Sequence, residues 1–119
     1  RGLHYQKFPF QQSKLIRVIK GKIQDVAVDI RPKSTTYKKY VSVELSDKNR
    51  YELFIPDGFA HGFLVLSSEA VVSYKVDNYY NMKSDSGYKY NDPSFRITWN
   101  LKNKDIILSD KDKKLQYIK

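Results

Sequence analysis

Two histidines are the only imidazoles in this sequence, His4 in RGLHYQ and His61 in FAHGFLVLS. On an extended strand, side chains alternate between faces. Gly2, His4 and Gln6 therefore look one way, and Leu3 and Tyr5 the other. By the same count His61 is in phase with Phe59, Phe63 and Val65, and Tyr74 of AVVSYKV (70–76) with Ala70, Val72 and Val76. Lys14 of KLIRVIK (14–20) is in phase with Ile16 and Val18. Each has an ordinary reading: a solvated or hydrogen-bonded histidine, a core tyrosine with a backbone partner, an edge lysine snorkelling to water. Taken together, four such groups on apolar faces are costly unless they line a solvated or ligand-filled cavity. In such a cavity an imidazole serves as a base near neutral pH.

The elements that must position these groups are short strands. KLIRVIK reaches Gly21, KIQDVAVDIR (22–31) stops at Pro32, YVSVELS (40–46) enters the turn DKN, and RYELFI (50–55) enters PDG. FAHGFLVLS (59–67), AVVSYKV (70–76) and FRITW (95–99) complete the set. No 3.6-residue stripe competes with this pattern, which predicts an all-β barrel or double-sheet jelly roll. The polar, Gly- and Pro-punctuated stretch 81–94 is predicted to be a long loop, the kind that often carries function.

Composition narrows the chemistry. A chain of 119 residues makes a single domain, 1–119. The absence of cysteine excludes disulfides, thiolate nucleophiles and Cys-ligated metals. The two histidines are far apart in sequence and form no His-x-His pair, so no metal and no cofactor is expected. The formal charge of +9 attracts polyanions such as nucleic acid, acidic membrane or a phosphorylated small molecule. Outside the tail KDKKLQYIK the cations are scattered, without a basic stripe or nucleic-acid motif, and no membrane span or signal peptide is visible. The expectation is a cytoplasmic protein with no nucleic-acid and no membrane partner.

In order and spacing, RGLHYQ, QSKLIRV, DVAVDIR, IPDGFAHGFLVLS, SYKVDNYY, NDP and LSDKD resemble the dTDP-4-dehydrorhamnose 3,5-epimerase family of nucleotide-sugar enzymes. The resemblance runs from Arg1 to about Leu115 and implies a metal-independent cupin-fold homodimer. It implies an isomerase that epimerises a nucleotide-linked 4-keto-6-deoxy sugar, dTDP-4-dehydro-6-deoxy-D-glucose to dTDP-4-dehydro-L-rhamnose. Protons on C3 and C5 are acidic because both carbons flank the C4 ketone. A base removes one to give an enolate, and an acid on the opposite face returns a proton. A single-centre epimerase on another sugar nucleotide and a non-catalytic sugar-nucleotide-binding domain are the alternatives.

Carried over residue by residue, the resemblance makes His4 the base, Tyr74 the acid on the opposite face, and Asp112 the carboxylate that pairs with the histidine. Such pairing is expected to raise the imidazole pKa. Lys14 matches the lysine held near the substrate oxygens. Arg1, Gln6, His61, Asp85 and Lys111 match substrate-binding positions, and Tyr80 matches the aromatic that stacks on the nucleobase. Arg1, Lys14 and Lys111 supply cations for a pyrophosphate. The sequence departs from the family at Tyr90, where Trp is usual, at Asn81-Met82 in place of Ser-Pro, and at Lys38 and Tyr40, where Gly and Trp are common. It also begins at a point before which the family carries several further strands with ligand contacts. The resemblance predicts turnover that is indifferent to chelators; loss with EDTA and recovery with a divalent metal would contradict it.

Overall fold

A computed structural model describes all residues, 1–119. Eight strands follow in chain order: β1 (His4–Gln6), β2 (Lys14–Lys20), β3 (Lys22–Asp29), β4 (Tyr40–Ser46), β5 (Glu52–Ile55), β6 (Phe59–Val65), β7 (Val71–Val76) and β8 (Asp85–Gly87). One short helix, α1 (Asp110–Lys113), lies near the C-terminal end. The strands make a five-stranded sheet in the order β4-β3-β6-β1-β8 and a three-stranded sheet in the order β5-β2-β7. All pairings within the sheets are antiparallel. The all-β expectation holds, with one correction: the sheets face each other as a sandwich and do not close into a barrel.

Strand phase explains the layering. Ile16 and Val18 of β2, Ile23 and Ala27 of β3, Leu45 of β4, Ile55 of β5 and Phe63 of β6 form a buried cluster between the sheets. The alternate residues Val26 and Val28, with Leu3 and Ala60, form a second cluster on the outer face of the large sheet, covered by Phe95, Ile97, Trp99 and Ile118. The large sheet is thus buried on both faces, which is why β3 reads as an almost unbroken apolar run.

Two predicted elements change. FRITW is not a strand. Arg96 has φ 53, which breaks the extended run. A side chain replaces the ladder: Gln24 Nε2 donates to Ser42 Oγ at 2.9 Å and to the Thr98 carbonyl at 2.8 Å, while Gln24 Oε1 accepts from Asn100 N–H at 2.9 Å. Within the predicted 81–94 loop, residues 85–87 form β8, the edge strand beside β1. Lys38, at a common family glycine position, has φ 67, the left-handed region that glycine enters without steric cost.

Gln24 is 2% exposed, so its amide is a buried clamp on the covering segment. Gln24→Leu leaves the Thr98 carbonyl and Asn100 N–H without that partner and is expected to cost about 1–3 kcal/mol. Urea unfolding measures it; an unchanged midpoint would show that the clamp contributes nothing.

Candidate active site

β1 is only three residues long, and β6 and β8 hold it on its two sides. His4 stands opposite His61 of β6 and opposite Gly87 of β8. Directly opposed residues of antiparallel strands point to the same face. That face carries Asp25 and Ala27 of β3, in register with Phe63 and His61, and it looks toward the small sheet. The face assigned to His4 from alternation is the one observed.

The close approach at the start of β1 requires glycine. Gly2 has φ 106, and a Cβ there would lie 2.5 Å from the His61 carbonyl oxygen. The Arg1 backbone exchanges hydrogen bonds with Phe63, which seats this segment on β6. Gly2 N–H donates to Asp112 Oδ2 at 3.1 Å, and His4 Nε2 lies 2.6 Å from Asp112 Oδ1. Asp112 is 3% exposed and belongs to α1, whose N-cap Ser109 accepts from Asp112 N–H. A carboxylate only accepts, so His4 donates through Nε2 and keeps its lone pair on Nδ1 in the neutral form. The sequence reading that paired His4 with Asp112 across the chain matches this geometry.

The electrostatics differ from expectation in one respect. Burial pushes the His4 imidazole below its usual value, and the charge and hydrogen bond of Asp112, which pull it up, do not reverse that; Lys111 adds to the lowering. Burial pushes Asp112 up, but the Gly2 N–H bond and the His4 interactions hold it below the ordinary carboxylate range. His4 is therefore neutral and Asp112 charged at pH 7, the state a base must start from.

Tyr74 comes from the other sheet. It lies on the central face of β7 in register with Ile16, its ring edge-on to His61 at 6.0 Å and 6.4 Å from the Phe63 ring. Tyr74 is partly open, at 45% exposed, rather than sealed in the core. Burial of its hydroxyl, reinforced by the charge of Asp25, pushes its pKa up to about 12, so it stays protonated. Lys14 ends the same face of β2, between Ile55 and Val76. Burial lowers its ammonium pKa, while Asp85 and Asp25 pull it back up.

His61 is buried, and its Nε2 lies 2.5 Å from Asp25 Oδ1. Asp25 is fully buried, and its second oxygen has no hydrogen-bond partner. Sequence reasoning missed Asp25. The signal was present in DVAVDIR, where Asp25 shares a strand face with Ala27 and so interrupts an apolar row. This second His–Asp pair sits between the first pair and Tyr74.

The substrate-binding candidates divide. Asp85, Lys111 and Tyr80 meet one another: Lys111 Nζ is paired with Asp85 Oδ2, and the Tyr80 hydroxyl donates to the same oxygen at 3.3 Å. That pairing raises the Lys111 pKa. Arg1 is exposed beside β6. Gln6, by contrast, is spent on the backbone of Phe10, Tyr79 and Asn81. A cavity of about 320 Å³ is lined by Arg1, Phe63, Tyr90, Trp99 and Ile107, and not by His4 or Tyr74. No three His, Cys, Asp or Glu side chains converge in a way that could hold a metal ion.

The profile of a family described as dTDP-4-dehydrorhamnose 3,5-epimerase matches residues 1–119. A dTDP-4-dehydrorhamnose 3,5-epimerase of Methanothermobacter thermautotrophicus is 52% identical over 114 residues, covering 95% of this chain and 61% of that protein. The crystal structure of the Elizabethkingia anophelis enzyme of that name superposes with a TM-score of 0.96 at 46% identity, covering 98% of this chain and 64% of that one. A Legionella pneumophila dTDP-6-deoxy-D-glucose-3,5-epimerase in complex with dTDP-4-keto-L-rhamnose superposes with a TM-score of 0.94 at 44% identity, covering 98% and 61%. The sandwich is thus the cupin-like jelly roll of these structures, and the chain spans about three fifths of the length of these relatives.

The His4 environment gives a signed expectation. In the imidazole NMR titration, the His4 midpoint falls below the ordinary imidazole value. Asp112→Asn removes the charge that opposes burial, so the midpoint moves further down. A wild-type midpoint above the ordinary imidazole value would refute burial as the dominant effect, and an upward move in the variant would refute the upward pull of Asp112.

Proposed function

The chain belongs to the dTDP-4-dehydrorhamnose 3,5-epimerase family, and from that premise we propose that its protein epimerises a nucleotide-linked 4-keto-6-deoxy hexose. The proposed conversion is dTDP-4-dehydro-6-deoxy-D-glucose to dTDP-4-dehydro-L-rhamnose. The observation that carries this reading is the placement of a carboxylate-held imidazole and a protonated phenol on two facing sheets. A sugar between the sheets would have His4 on one side and Tyr74 on the other.

In this mechanism His4 Nδ1 takes the proton from C3 or C5, and the electron pair of the broken C–H bond moves to the C4 oxygen as an enolate. Asp112 stabilises the imidazolium that forms. Lys14 offers its ammonium to the enolate oxygen, an interaction that strengthens as charge develops. The Tyr74 hydroxyl delivers a proton to the opposite face of the carbon, which restores the ketone and inverts the centre. Proton exchange with water returns His4 to its neutral form and the phenolate to Tyr74. His61, held by Asp25, packs against the acid and stands beside the base. Arg1 and Lys111 are the cations for the pyrophosphate, and Tyr80 the stacking partner of the base.

The domain assignment follows the same reading: residues 1–119 form one epimerase domain of a protein whose relatives are longer. The whole protein is proposed to be a homodimer. Exposed Phe54 and Val71 on the outer strands of the small sheet support an association surface. The proposed location is the cytoplasm, to which the absence of cysteine is suited.

Incubation with the dTDP-4-keto-6-deoxy sugar in deuterated water, read by NMR, tests the reaction. Deuterium is expected at both C3 and C5. Incorporation at one carbon would indicate a single-centre epimerase, and at neither a binding module. His4→Ala should abolish exchange; Tyr74→Phe should lower inversion by roughly 10²–10⁴ while ligand binding persists. Full turnover in Tyr74→Phe would return that residue to a packing role.

A further inference from the structure

Gln6 is 7% exposed and lies two residues after the proposed base on β1. Both donors and the oxygen of its amide bond the backbone of neighbouring segments. Nε2 donates to the Phe10 carbonyl at 2.7 Å and to the Tyr79 carbonyl at 3.0 Å, and Oε1 accepts from Asn81 N–H at 2.9 Å. The two groups gripped on the 79–81 segment flank Tyr80 on either side. Neither is taken up by a strand ladder. The far end of the segment is tied as well: the Asn81 carbonyl accepts from Ser84 and Asp85 N–H, and the Ser84 carbonyl accepts from Lys7 N–H.

These bonds close a ring of contacts. From His4 it runs along β1 to Gln6, through the amide to the backbone on both sides of Tyr80, and by the Tyr80 hydroxyl to Asp85. Asp85 pairs with Lys111, whose neighbour Asp112 returns to His4. Gln6 and Asp85 are themselves register partners across β1 and β8. The ring thus contains the base at one point and an exposed aromatic at another, 65% open to solvent. Its one buried neutral link is Gln6. A methionine of similar size offers no hydrogen bond, and a glutamate offers acceptors where two carbonyls need a donor.

We propose that Gln6 is a positioning residue that holds Tyr80 in place to receive the nucleobase. The proposal rests on the reading of Tyr80 as the nucleobase contact. Gln6 touches no substrate; it acts through the 79–81 backbone. Its loss therefore weakens binding of the nucleotide and leaves the chemical step alone.

The test is Gln6→Met, alone and combined with Tyr80→Ala, with dTDP binding by calorimetry and steady-state kinetics on the dTDP-4-keto-6-deoxy sugar. Gln6→Met is expected to raise the dTDP dissociation constant and KM about tenfold and to leave kcat within about twofold. In the Tyr80→Ala background the further loss should be under about twofold, because residues acting as one unit are not additive. An equal tenfold loss in that background, or a fall in kcat with KM unchanged, overturns the proposal. Amide hydrogen exchange in the free proteins gives a readout independent of substrate: the Asn81 amide should exchange faster in Gln6→Met, and unchanged protection there also overturns it. If wild-type protein binds no dTDP while Asn81 still responds, the nucleotide reading fails and the clamp on Tyr80 stands.

Discussion

The hydrogen bond between His4 and Asp112 joins the first strand of the chain to its last helix, 108 residues apart. Much of the fold answers to it. Asp112 also accepts from Gly2 N–H, so the same carboxylate fixes both the imidazole and the backbone that presents it. Gly2 must be glycine for that backbone to lie against β6, and α1 must be capped by Ser109 for the carboxylate to face inward. A carboxylate so deeply buried is tolerable only because hydrogen-bond donors meet both of its oxygens.

The second His–Asp pair follows a different rule. Asp25 and His61 come from adjacent strands in the centre of the large sheet, where the ladder leaves little freedom. One oxygen of Asp25 is committed to His61 and the other has no hydrogen-bond partner. Its charge is felt by Lys14 and Tyr74, both from the small sheet. Burial is the larger influence on both groups; Asp25 adds to it for the Tyr74 phenol and opposes it for the Lys14 ammonium.

Strand phase was readable from sequence because an alternating pattern needs no partner to be recognised. It placed His4, His61 and Tyr74 on inner faces. It failed where backbone pairing is not what holds a segment. FRITW has strand composition, yet Gln24 holds it by side-chain bonds and Arg96 leaves the extended region. The closing of β8 onto β1 was hidden because SDSG carries no apolar signature; its pairing comes from main-chain groups. Asp25 was legible in phase and went unread, since an acid in an apolar row also suits an edge strand. The direction of the His4 pKa was not legible, because desolvation depends on neighbours that only the folded chain supplies. Gln6 shares the inner face with His4 as its phase requires, but its partners are main-chain groups of 10, 79 and 81, which side-chain pattern does not encode.

No hydrogen-bonded ladder links the two sheets. The distance between His4 on one and Tyr74 on the other is set by the stacked side chains between them, Ile16, Val18, Leu45 and Phe63 among them. The apolar filling is therefore a gauge as well as a source of stability. A family of such sandwiches can shift the gap between the proposed base and the proposed acid by exchanging a methylene in the filling, with both side chains left in place. Divergence in which carbon is inverted could thus arise in residues that never meet the sugar.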